Sequence, residues 1–379
     1  MFVGITNTPR DYAWGSHGEI SALLGTKPSG APEAELWLGA HPGSPARIVD
    51  PQSVGGASDL AEWGTLPFLL KVLAAASPLS LQAHPTPEQA VEGFARENAA
   101  GVPLDAPFRN YKDDSAKPEL IYALSEAFDA LCGFRPAADL RATIGRLIAL
   151  DGGSASAGAL HRLLDRTEGD DSLRGVFEWL ISRGEGVDEL VTRVVELARA
   201  HPDEFPTVVT LADTYPGDPG IVISLMLHNV TLSRGQALFL PAGNIHAYLK
   251  GVGIELMVSS DNVLRGGLTP KHVDVPELMS VLDFSPVAVP YLLPRAAPGL
   301  EIFSPDSAPL ALAHVTADAT LAPNGPSIVL CVAGTAVVTG ALSSVALGRG
   351  EAVLATADEG TLTVTTSGEL FIAASSLSH

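Results

Sequence analysis

The stretch Pro241-Ala242-Gly243-Asn244-Ile245-His246-Ala247-Tyr248 places a turn between two strand-like runs, with a histidine at the start of the second run. Strand-like sequence begins at Ile221 and continues to the end of the chain. Residues 1–134 also alternate short apolar runs with Gly and Pro, which is typical of strands joined by turns. We therefore expect a mainly β protein.

The N-terminal region also predicts two buried strands followed by a helix. The strands fall within Leu66 to Leu81, with a break near Ser77-Pro78. The segment Thr86-Pro87-Glu88-Gln89 then combines a capping residue, a proline at the first helical position and a glutamine at the third. We expect this helix to end by Gly101. Its apolar positions are Val91, Phe94 and Ala95.

Between about residues 136 and 215 the apolar residues follow a helical period instead. Apolar side chains recur at i, i+3, i+4, i+7 and i+8 at Leu173, Val176, Phe177, Leu180 and Ile181. Similar spacing occurs at Leu140, Ile144, Leu147 and Ile148, and again at Leu190, Val194 and Leu197. We expect several short amphipathic helices inserted between two strand-rich regions.

A proline-rich connection predicts a further domain boundary. The residues Pro286, Pro290, Pro294 and Pro298 favour an extended chain. Beyond it, the segment Arg349-Gly350-Glu351-Ala352-Val353 echoes Arg234-Gly235-Gln236-Ala237-Leu238, which favours two related β-barrels, although so short a match also arises by chance. The predicted domains are a catalytic β domain (1–135 and 221–290), a helical insertion (136–220) and a C-terminal β domain without metal (291–379).

Composition excludes several classes of function. Lys and Arg total 23 against 43 Asp and Glu, so the net charge is −20, and such a surface repels nucleic acid and acidic membranes. We expect neither as a partner, and no signal-peptide-like or membrane-spanning run occurs. Cys132 and Cys331 are the only cysteines, which favours a reducing cytoplasm over a disulfide framework.

Four residues are candidate ligands of a divalent metal. Gln82 and His84 share one face of a strand because they are two residues apart. Lys117 and Glu119 repeat this spacing around a proline, and His246 follows the turn at 241–244. Two imidazoles, a carboxylate and an amide oxygen form a plausible first shell of a catalytic zinc site. A strand histidine before a proline is also a common packed or turn residue, so spacing alone leaves both interpretations open.

Arg265 is a candidate functional cation. It lies between Asp261 and Lys271 in a segment whose glycines and Thr269-Pro270 predict a loop, where functional residues concentrate. A solvated surface arginine is the alternative from the residues alone.

Taken together, these motifs resemble those of type I mannose-6-phosphate isomerase, a family of zinc-dependent cupins. The resemblance extends in family order from the first residues to about Phe284. It is carried by Tyr12-Ala13-Trp14-Gly15, Glu35-Leu36-Trp37-Leu38-Gly39-Ala40-His41-Pro42, Leu66-Pro67-Phe68-Leu69-Leu70-Lys71-Val72-Leu73, Ser80-Leu81-Gln82-Ala83-His84-Pro85, Tyr111-Lys112-Asp113, Lys117-Pro118-Glu119, the segment 241–248 and the loop 261–271. The helical block and the tail match in layout only.

The resemblance implies a mainly β fold with two jelly-roll cupin barrels and a small helical domain. It also implies one zinc ion per chain, and isomerisation of mannose 6-phosphate and fructose 6-phosphate through a cis-enediol. The implied zinc ligands are Gln82, His84, Glu119 and His246. The implied catalytic residues are Arg265, Lys117, Asp261 and Glu255, and the implied substrate-binding residues are Ser80, Lys71 and Lys271.

The chemistry of an aldose–ketose isomerase fits these residue types. The site must polarise a carbonyl, remove a weakly acidic C–H proton and hold the enediolate charge. Lys117 and Arg265 can offset that charge, and we expect an electropositive pocket that lowers the pKa of a lysine toward that of a usable base. The sequence does not distinguish His84, Lys117, Asp261 and Glu255 as the base.

Two other functions stay open from the sequence. One is a metal-dependent dioxygenase of the cupin class, although the glutamine ligand fits the usual two-histidine, one-carboxylate iron site poorly. The other is a non-catalytic sugar-phosphate-binding cupin or sensor. For the isomerase and for the sugar-phosphate-binding cupin, the expected partner is a small sugar phosphate. We expect the protein to be a monomer.

Overall fold

Strands dominate both ends of the chain and helices occupy the middle. The computed structural model describes residues 1–153, 157–169 and 171–379. The expected mainly β architecture with helices is confirmed, and the described residues between 137 and 214 form the expected run of helices.

In the described residues the strands are β1 (Phe2–Thr6), β2 (Glu35–Leu38), β3 (Arg47–Ile48), β4 (Phe68–Ala75), β5 (Gln82–Ala83), β6 (Glu119–Ala123), β7 (Phe128–Phe134), β8 (Leu227–Leu232), β9 (Ala237–Leu240), β10 (His246–Val258), β11 (Leu264–Arg265), β12 (Arg295–Ala297), β13 (Leu300–Phe303), β14 (Ala311–Val315), β15 (Ala319–Pro323), β16 (Ser327–Ala333), β17 (Thr335–Thr339), β18 (Ser344–Gly348), β19 (Ala352–Ala355), β20 (Leu362–Thr366), β21 (Glu369–Ala374) and β22 (Leu377–Ser378). The α-helices are α1 (Glu19–Leu24), α2 (Leu60–Trp63), α3 (Pro87–Ala99), α4 (Ala137–Asp151), α5 (Ala157–Arg166), α6 (Ser172–Ile181), α7 (Val187–Ala200), α8 (Pro206–Thr214), α9 (Gly220–Ile223) and α10 (Val275–Val281).

These strands form three sheets in the described part of the chain. The first contains β2, β4 to β11 and is organised around the long strand β10. The second has the order β12-β13-β14-β21-β16-β19-β1-β3, and the third has the order β18-β17-β20-β15-β22. Strands of the sheet around β10 carry Gln82, Glu119 and His246, and His84 directly follows β5.

Strand β10 organises the first sheet because its two halves have different neighbours. Its first residues pair with β5 and β7, and the residues from Gly251 to Val258 pair with β4. In this register Lys71 of β4 lies between Trp37 of β2 and Glu255 of β10. Polar residues on these strands therefore meet on one face of the sheet.

The opposite face of the same strands is apolar. Leu70, Val72 and Leu256 alternate with the polar positions and are fully buried. They form one core with side chains of the second sheet, including Phe303 and Phe371. Packing against this second sheet thus fixes the strands whose other face carries the candidate site.

The helical block packs against the short strands of the site. Apolar side chains of α4 to α8 form a common core with Leu81, Ala83, Ile245 and Leu264. These four residues flank Gln82, His246 and Arg265 in sequence. The inserted helices therefore pack against the parts of β5, β10 and β11 that carry three of the predicted functional residues.

The helix predicted after Thr86 is confirmed as α3, including its capping box with Gln89. Its buried face differs from the prediction, since Ala90 and Gly93 are buried whereas Val91 is 54% exposed. Small residues face the protein here because the Tyr111 ring lies against Gly93.

Three local predictions were wrong. Strands resume at Leu227 rather than Ile221, because the apolar run Ile221-Val222-Ile223 forms the end of α9; so short a run does not distinguish helix from strand. The second strand predicted before Leu81 lies at Gln82–Ala83. Arg265 lies in the two-residue strand β11, which pairs with β5, rather than in a loop.

The N-terminal strand belongs to the sheet built from C-terminal strands. Strand β1 pairs antiparallel with β19, from Phe2↔Ala355 to Ile5↔Ala352. The sequence echo falls at equivalent turns, because Gly235 and Gly350 have φ values of +93° and +85° and each precedes a strand by two residues. The proposed division at residue 291 remains a prediction.

A charged cluster joins the two large sheets. His314 Nδ1 lies 3.0 Å from Glu301 Oε2, and His314 Nε2 lies 2.8 Å from Glu369 Oε1. Glu369 also pairs with Arg234, which precedes β9 in the first sheet, at 2.6 Å. Burial opposes the charged imidazole, but the hydrogen bonds to Glu369 and Glu301 outweigh burial and raise the pKa of His314.

This cluster predicts a specific pH dependence of stability. The raised pKa of His314 stabilises the folded protein below about pH 6.5, and this contribution is lost as the pH rises through the folded-state pKa. The pKa of Glu369 is lowered, so the ionised carboxylate also stabilises the folded protein. This contribution is lost as the pH falls below about 4.5, which sets the acid limit of the pH range in which the cluster is stabilising. We expect the free energy of unfolding in urea to fall more between pH 6 and pH 9 in the wild type than in His314→Gln, because only the wild type loses a charged imidazole that pairs with Glu301 and Glu369. Equal slopes would contradict this role.

Candidate metal centre and active site

Three side chains converge where β5, β6 and β10 come together. His246 begins β10 and pairs with Gln82 of β5, and His84 follows Gln82 by two residues. Glu119 begins β6. Its carboxylate faces both rings, with Oε1 3.3 Å from His84 Nε2 and Oε2 3.3 Å from His246 Nε2. One carboxylate and two imidazole nitrogens therefore surround a common point.

Backbone carbonyls determine the tautomer of both histidines. His84 Nδ1 lies 2.7 Å from the carbonyl oxygen of Asn262, and His246 Nδ1 lies 3.1 Å from that of Asn244. Because a carbonyl oxygen only accepts, each Nδ1 carries the hydrogen, and in the neutral ring the lone pair lies on Nε2. Both lone pairs then face Glu119, an arrangement typical of histidine metal ligands.

The turn before His246 requires a glycine. Gly243 has a φ of +77°, and its N–H donates to the carbonyl oxygen of His84 at 2.9 Å. The Gly243 carbonyl accepts from the N–H of Asp283 at 3.1 Å. The turn predicted from the sequence therefore also connects the two segments that carry the histidines.

Burial and neighbouring charge set the protonation states of these ligands. Burial lowers the pKa of His84 to about 4, although the Glu119 carboxylate opposes this shift. Burial would raise the pKa of Glu119, but Lys117, whose Nζ lies 2.9 Å from Oε1, and the two histidines hold it well below its usual range. At neutral pH His84 is therefore neutral and Glu119 is ionised, as metal ligation requires.

Three atoms at this point have no hydrogen-bond partner although they are buried. They are His84 Nε2, Glu119 Oε2 and His246 Nε2. Buried polar atoms without partners are rare because their desolvation is not compensated. Imidazole nitrogen and carboxylate oxygen are common zinc ligands. The donor set therefore fits a divalent metal ion.

A cleft of about 250 Å³ opens beside Glu119 and collects most of the predicted site residues. Those that line it are Lys71, Gln82, Lys117, Glu119, Glu255, Asp261 and Lys271. His84 and His246 are fully buried next to it. Ser80 and Arg265 do not line the cleft itself. The structure therefore brings nine of the eleven predicted side chains to the cleft or its buried edge.

Lys71 is paired with two carboxylates. Its Nζ lies 2.9 Å from Glu255 Oε2 and 3.3 Å from Glu35 Oε1, and 4.9 Å from the centre of the Trp37 ring. Burial would lower the pKa of Lys71, but the two carboxylates raise it above its ordinary value. The expectation of an electropositive pocket that lowers lysine pKa values is therefore wrong for Lys71, because the sequence did not reveal how many carboxylates face it.

The pKa of Glu255 is raised as well, although for a different reason. Burial raises its pKa, and the nearby carboxylates of Glu119 and Glu35 add to this effect against the ammonium of Lys71. The buried hydroxyl of Tyr248 has its pKa raised by burial and by the same Glu255. This end of the cleft therefore contains groups that hold their protons more strongly than in water.

Arg265 and Lys271 form a separate cationic region. Burial lowers the pKa of Arg265, and burial together with Arg265 lowers that of Lys271. Within the described ranges no carboxylate forms an ion pair with either residue, whereas Lys71 and Lys117 are both paired. The expected lowering of a lysine pKa in the site thus occurs at Lys271.

Sequence reasoning missed two titratable residues of the cleft. Glu35 is 7% exposed and binds Trp37 Nε1 at 3.0 Å as well as Lys71. His41 is 5% exposed, and its Nε2 lies 3.4 Å from Asp261 Oδ1. The available signal was a single charged residue, Glu35, inside a short apolar strand, where a side chain that is not functional is rarely charged.

Comparison with known proteins agrees with this geometry. A family model described as the catalytic domain of type I phosphomannose isomerase matches residues 2–137. The mannose-6-phosphate isomerase of Escherichia coli strain K12 is 34% identical over 389 aligned residues, covering 97% of each chain. The human mannose-6-phosphate isomerase is 33% identical over 382 residues, covering 87% of each chain.

Solved structures extend the similarity to the whole fold. A zinc-bound crystal structure of mannose 6-phosphate isomerase matches with a TM-score of 0.84 at 32% identity, over 98% of this chain and 99% of that one. A point mutant of phosphomannose isomerase from Salmonella typhimurium matches with a TM-score of 0.86 at 32% identity over the same shares. Because relatives above 30% identity align along almost its full length, the chain belongs to the type I mannose-6-phosphate isomerase family.

Proposed function

We propose that this protein interconverts mannose 6-phosphate and fructose 6-phosphate at one zinc ion. The observation that carries the proposal is the convergence of His84 Nε2, Glu119 and His246 Nε2, unpartnered and buried, at the edge of a small polar cleft. The names of the full-length relatives supply the substrate. No feature of the site favours a dioxygenase or a non-catalytic sensor.

Gln82, His84, Glu119 and His246 would hold the zinc ion. One anionic ligand among three neutral ones leaves a net positive centre, which when bound supplies Lewis-acid polarisation of a sugar oxygen. Gln82 supports this assignment because its side chain lines the cleft beside Glu119, while its backbone pairs with His246.

The side chains of the cleft would carry the proton transfers. Isomerisation through a cis-enediol moves a proton between two adjacent carbons, so the site needs groups that accept and return protons. Lys117, Asp261 and Glu255 are the proposed groups, since all three line the cleft. Burial raises the pKa of Glu255, which supports Glu255 as a proton carrier. Lys117 and Arg265 would balance the enediolate charge.

Lys71 would bind and orient the substrate rather than act as a base. Its ammonium is paired on both sides and has a raised pKa, so it stays charged. Ser80, Lys271 and Arg265 would hold the phosphate, and the absence of carboxylate partners for the two cations within the described residues supports this role.

The finer architecture is also proposed. We propose jelly-roll cupin barrels in the first sheet and in the C-terminal strands, with the helical insertion between residues 136 and 220 and the metal site in the first barrel only. The similar glycine turns before β9 and β19 support two related barrels. Across the described ranges we find no helix with the length and hydropathy that a membrane-spanning segment needs. The cytoplasmic location and the monomeric state stay predictions.

The proposed reaction is tested by supplying mannose 6-phosphate to the purified, zinc-loaded protein. Fructose 6-phosphate formation is followed in a coupled assay with a phosphoglucose isomerase and a dehydrogenase. We expect turnover that a chelator abolishes and added zinc restores. Zinc binding without turnover of mannose 6-phosphate would overturn the proposed activity.

The phosphate assignment gives a separate prediction for Lys271→Ala. Charge-assisted hydrogen bonds contribute roughly 1.5 to 3 kcal/mol each, so two or three of them favour mannose 6-phosphate over mannose by about 10² to 10⁶ in kcat/KM. Removing Lys271 should narrow this ratio by about 10-fold or more, since only the phosphorylated substrate loses a contact. Equal losses for both sugars would show that Lys271 does not hold the phosphate.

A further inference from the structure

Asn262 connects the elements of the proposed metal centre, although it contributes no side chain to that centre. It is fully buried. Its carbonyl oxygen accepts from His84 Nδ1 at 2.7 Å. Its side chain is directed elsewhere, to the loop that precedes Glu119. One residue thus uses its backbone for one metal ligand and its side chain for the approach to another.

The side-chain amide of Asn262 is saturated by backbone groups of that loop. Oδ1 accepts from the N–H of Lys112 at 2.6 Å, and Nδ2 donates to the carbonyl oxygens of Asp113 at 2.8 Å and Ser115 at 2.9 Å. These bonds span about 150 residues of sequence, and they fix a loop that ends two residues before Lys117. Residues 112–115 have no regular secondary structure, so these bonds define their course.

Asp113 completes the connection from the other side. Its Oδ1 accepts from the hydroxyl of Ser260 at 2.8 Å, and its Oδ2 accepts from the N–H of Asp261 at 2.9 Å. The loop before Glu119 and the segment before Arg265 therefore hold each other through reciprocal side-chain bonds. Of Asn262 and Asp113, it is Asn262 that also contacts a proposed zinc ligand, His84.

We propose that Asn262 is a positioning residue for the metal centre, an inference that rests on the proposed zinc-dependent function. Its carbonyl holds His84 in the tautomer with the lone pair on Nε2, and its amide sets the distance between His84 and the Glu119 strand. Loss of an outer-shell partner typically lowers metal affinity by about 10- to 100-fold. Loss of the Asn262 side chain should give a decrease within that range, because the side chain holds the segment whose carbonyl contacts His84 and the loop before Glu119.

The test compares two buried substitutions in the full chain. Asn262→Leu keeps a similar volume and no added charge, but leaves the groups at 112–115 without partners. The control is Glu359→Met: Glu359 is equally buried and binds the N–H groups of Leu342 and Ser343 at 2.9 and 3.2 Å in the C-terminal region. Both variants should lower the melting temperature, which separates metal affinity from general stability.

Zinc affinity is measured by competition with a chromophoric chelator, independently of catalysis. We expect a 10- to 100-fold loss for Asn262→Leu, a smaller loss for Asn262→Ser, which retains one donor, and wild-type affinity for Glu359→Met. Asn262→Ser also decides the question if Asn262→Leu does not fold. Unchanged affinity in both Asn262 variants, or an equal loss in Glu359→Met, would overturn the proposal.

The result is distinguishable from failure of the proposed reaction. A wild-type protein that binds zinc and does not turn over mannose 6-phosphate would overturn the activity, while the affinity series would still support or overturn the role of Asn262. Active wild type with unaffected Asn262 variants would overturn the positioning role alone.

Discussion

Glu119→Gln is expected to abolish measurable isomerase activity at micromolar zinc, through loss of the metal. Glutamine keeps the size of the side chain but removes the anionic ligand at the centre of the site. The two oxygens of Glu119 face one histidine each at 3.3 Å, and among the residues that the structure describes no second carboxylate belongs to this centre. We expect zinc affinity to fall by more than about 100-fold, beyond the usual cost of losing an outer-shell partner.

The comparison variant is Gln82→Ala, which removes a neutral ligand and should weaken zinc binding less. Metal content is measured by elemental analysis after dialysis, and activity by titration with zinc. Added zinc should partly restore the activity of Gln82→Ala at lower concentrations than it restores the activity of Glu119→Gln. Full activity in protein shown to be free of metal would contradict the whole assignment.

Arg265→Ala is expected to lower kcat by about 100-fold or more, as typically follows from loss of one preorganised electrostatic group. Within the described residues Arg265 forms no ion pair, so no carboxylate neutralises its charge. It also lies on β11, which pairs with Gln82 of β5, and this strand pairing restricts its position. If it balances the enediolate, its effect appears in the transition state.

Steady-state kinetics at saturating zinc separate the possible roles of Arg265. A fall in kcat with little change in KM indicates transition-state stabilisation, whereas a rise in KM alone indicates uniform substrate binding. Arg265→Lys keeps a positive charge without the planar fork and should recover part of the loss. An effect confined to KM would move the charge-balancing role to Lys117.

Local features of the fold were predictable because their signals lie within a few residues. The capping box at Thr86 and the apolar period of α6 predicted those helices. The pairing of β1 with β19 was not predictable, since nothing in residues 2–6 identifies a partner near the C-terminus. The prediction of a strand from Ile221 was wrong because the apolar run in α9 suits helix and strand equally.

The site shows the same difference between signals that lie within a few residues and contacts that join distant segments. The proposed ligands His84, Glu119 and His246 could be predicted because each lies in a short motif of characteristic spacing or family resemblance, and the structure brings their side chains together. Glu35, His41 and Asn262 were not predicted as site residues, because their contacts depend on strand register and on loops that are far apart in sequence. Lys71, Asp261 and His84, which they contact, were predicted without them.

The pairing of β1 with β19 has a consequence for how the chain reaches its final state in the cell. During synthesis β1 emerges from the ribosome long before β19 exists, so its backbone hydrogen bonds to that strand form only near the end of translation. Val3 and Ile5, both buried in the finished protein, lack the part of their surroundings that β19 supplies for most of that period. A ribosome that stops within the helical region would therefore release a product in which β1 has β3 on one side but no neighbour on the side that β19 occupies in the finished protein, and such an open strand edge favours aggregation and removal by proteases.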